Sequence, residues 1–178
     1  MPIFGPDIKI DETVYLHETS YLYGKITIGA HSSVWPNVVM RAEMHEIIIG
    51  EKTNIQDFVM VHVGASTPTI IGNECSITHH VTLHGCDVGD KCLIGINATL
   101  MDGSKIGANS IVAGHSIVTE NSVFPENSII AGAPAKLITT RDCAKPNAFN
   151  AAFYAQNAKN YAQGIYRIED LDSIIENM

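Results

Sequence analysis

Large apolar residues recur at every sixth position along most of this chain. The spacing is interrupted before Ile49, Ile71 and Val88, and each time it resumes with the same period. We name these residues the anchors, and they are Ile10, Leu16, Leu22, Ile28, Val34, Met40, Ile49, Ile55, Val61, Ile71, Ile77, Leu83, Val88, Ile94, Leu100, Ile106, Val112, Val118, Phe124 and Ile130. A period of six fits neither an amphipathic helix nor a plain alternating strand, so it predicts short strands separated by corners.

Three short strands and three corners form one triangular coil of about 18 residues, and such coils stack by pairing their backbones. Glycine follows the first anchor of five coils, at Gly29, Gly50, Gly72, Gly89 and Gly107, which would place these glycines one above another along one edge. Glycine in such a position indicates either a positive φ or a close approach of two backbones. The pattern therefore predicts an all-β solenoid of stacked parallel coils.

The composition changes after the last repeat. We therefore divide the chain into a β-helix domain over residues 1–140 and a C-terminal helical segment over residues 141–178 that packs on the solenoid. Asn147 is predicted to cap an alanine-rich helix, and Gly164 is predicted to end it. A second short helix is predicted from Ile168 to Asn177.

Composition and charge argue against several classes of partner. The formal net charge is −8 and the sequence pI is ≈ 5.4, so we expect no nucleic acid partner. No apolar stretch approaches the ~20 residues that span a bilayer, and no secretory signal is recognised, so we expect no membrane partner. The four cysteines form no C-x-x-C pair. They indicate free thiols in a reducing compartment, and we predict a cytoplasmic location.

Three histidines have a spacing that suits a shared metal ion. His62 and His84 each follow the third anchor of successive coils. They should stack about 4.8 Å apart, which lets two imidazoles reach one cation through bonds of about 2.0–2.1 Å. His79 lies two residues after Ile77, on the preceding side of the triangle, so only a three-fold trimer would bring it to the pair of a neighbouring subunit. From spacing alone, ordinary surface histidines remain an equal alternative.

These segments resemble the γ-class carbonic anhydrases among the hexapeptide-repeat proteins. The repeats carry this resemblance over residues 10 to 138, together with Arg41-Ala42-Glu43, Asn54-Ile55-Gln56-Asp57, His62 and the run from His79 to Cys86. The resemblance implies a left-handed parallel β-helix and a homotrimer that interconverts carbon dioxide and bicarbonate. It also implies that zinc or iron(II) is bound between subunits, and the implied ligands are His62, His79 and His84.

The resemblance gives roles to five further polar residues. It implies that Gln56, with Asn54 beside it, orients the attacking hydroxide. It implies that Arg41 and Asp57 join a charge network at the subunit contact. Glu43 stands where the family usually has Asp in an Arg-Gly-Asp segment, so the carboxylate is one methylene longer. The alternatives are a corner asparagine that serves only the backbone at Asn54 and a solvated outer face for Gln56 and Asp57.

Other features leave the activity open. Thr78 replaces a glycine that usually precedes the second histidine of the family, and the short insertions carry no acidic cluster, so the proton donor is not identified. Proximity suggests Glu43, His45 and Glu46 as candidates for that role. The first alternative function is a hexapeptide acyltransferase that uses acyl-coenzyme A, with His115 as its candidate catalytic residue. The second is a catalytically silent, metal-binding trimeric solenoid.

The C-terminal helix and the remaining histidines also contain residues with a predicted role. Asn160 and Tyr161 resemble a helix motif of the family whose asparagine approaches the site. His80 should point away from the site in an extended segment and serve a structural role. The remaining histidines match no ligand position, and we treat them as surface residues; they are His17, His31, His45 and His115.

Overall fold

Short strands stacked in register form most of the protein. The computed structural model describes residues 3–169, and this part of the chain forms about seven turns of a parallel β-solenoid followed by one helix. Its elements are β1 Ile3–Phe4, β2 Ile8–Ile10, β3 Tyr15–Leu16, β4 Tyr21–Ile28, β5 Ser33–Val34, β6 Val39–Ile49, β7 Asn54–Ile55, β8 Met60–His62, β9 Thr69–Ile71, β10 Ser76–Ile77, β11 Thr82–His84, β12 Asp87–Val88, β13 Leu93–Ile94, β14 Thr99–Leu100, β15 Lys105–Ile106, β16 Ile111–Val112, β17 Ile117–Val118, β18 Val123–Phe124, β19 Ser128–Gly132, β20 Ala135–Thr140 and α1 Ala144–Ala162. The predicted solenoid of hexapeptide repeats is confirmed.

The strands lie on three faces of the triangular coil. The first face contains the beginnings of β4 and β6, followed by β8, β11, β14 and β17. The second face contains β2, the ends of β4 and β6, and then β9, β12, β15 and β18. The third face contains β3, β5, β7, β10, β13, β16 and β19, and β20 closes it as an antiparallel strand. Because β4 and β6 run through a corner, they join the first two faces into one sheet.

The anchors fill the interior of the coil. On the first face Met40 is in register with Val61, Val61 with Leu83, and Leu83 with Leu100, and all four are fully buried. Each anchor therefore packs against the equivalent residues of the coils on either side. Full burial of such a side chain contributes about 1.5–3 kcal/mol, so the stability of each coil depends on its neighbours.

The glycine column is explained by a close approach of backbones rather than by a positive φ. A Cβ on Gly50 would lie 2.6 Å from the carbonyl carbon of Gly72 in the next coil. The positive φ at this corner belongs instead to Lys52, at 51°. The small residue that follows, Thr53, donates its hydroxyl hydrogen to the carbonyl oxygen of Gly72 at 2.8 Å. Glycines and small residues thus form the same corner, which lets successive coils stack without a gap.

Helix α1 begins earlier than the sequence predicts. Asn147 lies inside the helix and does not cap it, so that prediction was wrong. Its side-chain amide is buried and donates to the carbonyl oxygens of Lys91 at 2.8 Å and Ser110 at 3.1 Å, which ties the helix to two successive coils. Gly164 follows the end of the helix with a φ of 77°, in agreement with its predicted role.

The helix packs along the third face, against β3, β5, β7 and β10. Trp35 on this face is buried, and its ring centroid lies 5.6 Å from that of Tyr154 and 5.0 Å from that of Tyr161. All but the first two residues of the second helix predicted over 168–177 lie outside the described residues. Within residues 3–169, no helix has the length and apolar character needed to cross a lipid bilayer.

Candidate metal centre

The histidine pair stands at the corner where the first face ends. Strand β8 ends at His62 and β11 ends at His84, and the two residues are partners in the parallel ladder. Their ring centroids lie 5.0 Å apart with an angle of 63° between the ring planes. Arg41 is the ladder partner of His62 on the other side, so one column presents a guanidinium and two imidazoles. This stacking agrees with the spacing of the anchors.

Each imidazole of the pair is held by a carboxylate. Nδ1–H of His84 donates to Oδ1 of Asp102 at 2.8 Å, and Nε2–H of His62 donates to Oε2 of Glu43 at 2.9 Å. A carboxylate on one ring nitrogen fixes the tautomer and orientation of a histidine, and it leaves the other nitrogen free to bind a metal. The free nitrogens are therefore Nε2 of His84 and Nδ1 of His62.

Glu43 also contacts the guanidinium of Arg41. Partial burial by itself raises the pKa of the Glu43 carboxyl, but its own backbone amide, His62 and the charge of Arg41 together place that pKa below its ordinary value. Glu43 is therefore ionised near neutral pH. The longer side chain of Glu43 reaches both Arg41 and His62 within one chain.

His79 stands at a different corner, in the turn that follows β10 and leads from the third face to the first. Its Nδ1 hydrogen-bonds Oδ2 of Asp57 at 3.1 Å, and both side chains are about one-third exposed. Asp57 pairs with His79 rather than with Arg41 of the same chain. Within the described part of one chain, no three His, Cys, Asp or Glu residues form a group able to hold a metal ion. His79 therefore does not join His62 and His84 in one group within the described part of this chain.

The donor set suits zinc or iron(II). All three candidate ligands are imidazoles; each has one ring nitrogen hydrogen-bonded to a carboxylate, and within residues 3–169 the other has no hydrogen bond. Neutral imidazole is a ligand that both metals accept, and a three-histidine site leaves a coordination position for substrate. The residues present therefore fit the metal that the resemblance implies.

A cleft of about 400 Å³ opens beside the histidine pair. It is lined by Arg41, Glu43, Met44, His62, Val63, Gly64, Ala65 and His84. Most of the candidate polar groups of this corner therefore face one cavity. Of the three candidates for proton transfer, Glu43 lines this cleft, whereas His45 hydrogen-bonds the carbonyl oxygen of Ala65 at 3.3 Å and Glu46 pairs with Lys25 at 2.8 Å.

Asn54 and Gln56 are buried, with exposed fractions of 1% and 2%, and helix α1 packs against strand β7, which contains Asn54. The alternative that Gln56 lies on a solvated outer face is therefore wrong. Nε2 of Gln56 donates to Oδ1 of Asn54 at 2.9 Å, and Nδ2 of Asn54 donates to the hydroxyl of Ser76 at 2.9 Å. Gln56 immediately precedes Asp57, the partner of His79, so this amide network ends beside the third candidate ligand.

The remaining histidines serve the solenoid or its surface. His80 occupies a turn with a φ of 60° and stacks on Phe58 at a centroid distance of 4.9 Å, so it does not lie in an extended segment as predicted. His115 is exposed in the equivalent turn of a later coil, with a φ of 58°. The Asn160 side chain accepts a hydrogen bond from Gln156 within α1, at 3.3 Å.

Two residues near the pair were not predicted. Asp102 lies one coil beyond His84, two positions after the anchor Leu100, and that register was the signal that could have found it. Thr69 is fully buried; its hydroxyl donates to the carbonyl oxygen of His62 and accepts from the backbone N–H of Gly85 at 2.9 Å. Thr69 thus connects the backbones that carry the two histidines.

Comparisons with known proteins agree with this architecture. The family described as Bacterial transferase hexapeptide (six repeats) matches residues 85–120. Gamma carbonic anhydrase 2, mitochondrial, of Arabidopsis thaliana is 33% identical over 167 residues, which cover 90% of this chain and 58% of that protein. Carnitine operon protein CaiE of Salmonella agona is 31% identical over 138 residues, which cover 78% of this chain and 67% of that protein.

A solved structure from Bacillus cereus, described provisionally as an acetyltransferase, is also similar. It has a TM-score of 0.85 and 27% sequence identity, and the match covers 88% of this chain and 92% of that one. The solenoid, the histidine pair and these relatives together define the class. This chain belongs to the hexapeptide-repeat proteins, and it is similar to both the gamma carbonic anhydrases and CaiE. It spans less than two thirds of the length of its plant relative.

Proposed function

We propose that this protein is a metal-dependent lyase that interconverts carbon dioxide and bicarbonate at sites shared between the subunits of a homotrimer. The observation that carries the proposal is the placement of the three histidines. One corner of the coil presents His62 and His84 together, and another presents His79 alone. A head-to-tail contact between these corners, repeated around a three-fold axis, closes on itself and completes three equal sites.

The surfaces at these corners support association. Phe58 and Ile96 lie in the turns before and after the one that contains His79, and they are 53% and 47% exposed. Ile117 on the first face is 44% exposed. Exposed apolar side chains that border a polar site are typical of a protein interface, because association removes their surface from water.

In this proposal the three histidines bind zinc or iron(II) through the ring nitrogens that the carboxylates leave free. The metal, when bound, supplies the Lewis acidity that makes water nucleophilic near neutral pH. Asp102 and Asp57 hold His84 and His79 in orientation. Restricting the imidazoles in this way lowers the entropy lost when they bind a cation.

The other polar residues act on the substrate and the proton. The carbonyl oxygen of Gln56 accepts a hydrogen bond from the attacking group and orients it. Arg41 supplies positive charge to the cleft, which favours the anionic product. Glu43 lines the cleft, which places its carboxylate to accept the proton that the reaction releases, and the pKa held below its ordinary value makes this carboxylate a weak base. The four buried free thiols support a reducing compartment, and we propose that the protein is cytoplasmic.

A hexapeptide acyltransferase is the second candidate. The observation that favours it is the similarity in fold to the Bacillus cereus protein described provisionally as an acetyltransferase. An acyltransferase of this kind would use a histidine as general base at a subunit cleft, and the exposed His115 is the candidate. A metal-binding trimer without turnover is the third possibility.

One set of measurements separates the three functions. The protein is purified with zinc and, anaerobically, with iron(II), and its metal content is measured by elemental analysis. Carbon dioxide hydration is then followed by stopped flow with a pH indicator, and coenzyme A binding by calorimetry. We expect one metal ion per chain, hydration that is lost on chelation, and no coenzyme A binding. Metal without hydration indicates the silent solenoid, and coenzyme A binding without metal indicates the acyltransferase.

A further inference from the structure

A chain of buried polar side chains connects helix α1 to Gln56. The hydroxyl of Ser76 donates to Oδ1 of Asn150 on the helix at 2.7 Å. The same hydroxyl accepts from Nδ2 of Asn54 at 2.9 Å, and Oδ1 of Asn54 accepts from Nε2 of Gln56 at 2.9 Å. Ser76, Asn54 and Gln56 are each at most 2% exposed. This series of hydrogen bonds therefore connects helix α1 to the side-chain amide of Gln56 without passing through solvent.

The direction of every hydrogen bond in this chain is determined by one backbone group. Nδ2 of Asn54 also donates to the carbonyl oxygen of Cys75 at 3.2 Å. A carbonyl oxygen accepts and never donates, so the amide of Asn54 has only one orientation that satisfies it. Oδ1 of Asn54 must then face Gln56, and only the NH₂ group of Gln56 can donate to it.

The consequence is that Gln56 presents its carbonyl oxygen on the side away from Asn54. Within residues 3–169, that oxygen has no hydrogen-bond partner, so it remains available as an acceptor. A flipped amide would present a donor there and would leave two donors facing each other in a buried site. An unsatisfied buried polar group costs about 1–3 kcal/mol. This cost is enough to exclude the flipped amide of Gln56 while the hydrogen bonds from Asn150 to Gln56 are intact.

We propose that Asn150 is a positioning residue that, through Ser76 and Asn54, holds the Gln56 amide in the orientation that the Cys75 carbonyl oxygen selects. This inference rests on the proposed function, in which the Gln56 carbonyl oxygen orients the attacking group. Asn150 is distant in sequence from every candidate catalytic residue and contacts none of them in the described hydrogen bonds except through Ser76. Its role is to restrain an amide that touches the reacting group, and helix α1 is thereby part of the site.

Two substitutions at this position test the inference. Asn150→Leu keeps the approximate size and removes the acceptor, whereas Asn150→Asp keeps an oxygen that accepts from Ser76. Asn157→Leu is the matched control, because Asn157 is a half-buried amide on the same helix. If Asn150→Leu reduces folding, Ser76→Ala is the second variant, because it removes the hydroxyl that joins Asn150 to Asn54. Circular dichroism and the trimer mass check each variant.

The first readout is hydrogen exchange of the Gln56 side-chain amide, measured by NMR on the metal-free protein. We expect exchange to accelerate about tenfold or more in Asn150→Leu, and to remain near wild type in Asn150→Asp and Asn157→Leu. The second readout is hydration kinetics of the metal-loaded protein. We expect kcat to fall about tenfold in Asn150→Leu, with KM and metal content unchanged, because one oriented hydrogen bond is weakened.

Unchanged exchange at Gln56 in both Asn150→Leu and Ser76→Ala overturns the inference, as does an equal acceleration in the Asn157→Leu control. A fall in metal content that parallels the fall in kcat also overturns it, since a purely structural role would produce that result. If the wild-type protein does not hydrate carbon dioxide, the proposed function fails, and the exchange measurement still decides whether Asn150 restrains Gln56.

Discussion

The contact between Asp102 and His84 leads to a quantitative prediction for metal binding. Asp102→Asn keeps the shape of the side chain but replaces a carboxylate with a neutral amide. The hydrogen bond from Nδ1–H of His84 is 2.8 Å long in the wild type, and the two side chains are 40% and 33% exposed. Loss of the charge makes the imidazole a weaker base and loosens its orientation, so metal affinity should fall.

The size of the expected loss in metal affinity follows from the partial exposure of Asp102. Removal of an outer carboxylate from a metal-binding histidine typically lowers affinity by about 10–100-fold. Because solvent screens more than a third of Asp102, we expect the lower end of this range, about 10–20-fold or ~1.4–1.8 kcal/mol. The same exposure means that the metal-free protein should lose less than about 0.5 kcal/mol of unfolding free energy.

The assay is competition between the protein and a chromophoric zinc chelator, with urea unfolding of the metal-free protein in parallel. Asp87→Asn is the matched control, since Asp87 is an exposed carboxylate on strand β12, soon after His84 in the chain. Zinc affinity within twofold of wild type in Asp102→Asn would refute the assignment of His84 as a ligand held by Asp102. A loss of the same size in Asp87→Asn would show a general electrostatic effect instead.

Three other predictions use independent contacts. His79→Ala should abolish stoichiometric metal binding and weaken the trimer in sedimentation. The control His80→Ala changes a side chain that stacks on Phe58, and it should retain the metal. Equal metal content in the two variants would reject His79 as a ligand. Thr69→Val should lower zinc affinity about tenfold because it removes the hydroxyl that joins the two histidine strands, and Thr69→Ser should restore it. Burial raises the pKa of Cys86 to about 12, so its thiol stays protonated in the native state at pH 9, where the unfolded thiol ionises. The free energy of unfolding should therefore fall as the pH rises above about 9. A thiol reagent should modify the cysteines at pH 8 only after the protein unfolds. Rapid labelling of the native protein would contradict this prediction.

The local period of the sequence was sufficient for the solenoid and for the histidine pair. The anchors must point into the coil, because a strand with its apolar residue outside would lose the burial that holds the coils together. His62 and His84 each follow an anchor of the first face, so their stacking is a consequence of register alone. The glycine column was predicted with two alternative reasons, and the structure selects the close approach of backbones.

The sequence did not reveal which side chains the coils and the helix bring together. Asn147 resembled a helix cap in the sequence, yet its side-chain amide donates to backbone carbonyl oxygens of two coils. Asp102 lies one coil beyond His84, but only the structure shows that its carboxylate contacts that imidazole. Gln56 had an expected role, but its connection to Asn150 through Asn54 and Ser76 depends on where α1 packs.

The sequence by itself thus determined the repeating coil, the faces of the anchors and the corner that presents the histidine pair, because a six-residue period constrains the direction of every side chain along the chain. Only the tertiary structure decided which carboxylate holds each imidazole and which amide orientation Gln56 adopts. Those contacts join residues from different coils and from the helix, so they form only when the coils and the helix have packed together.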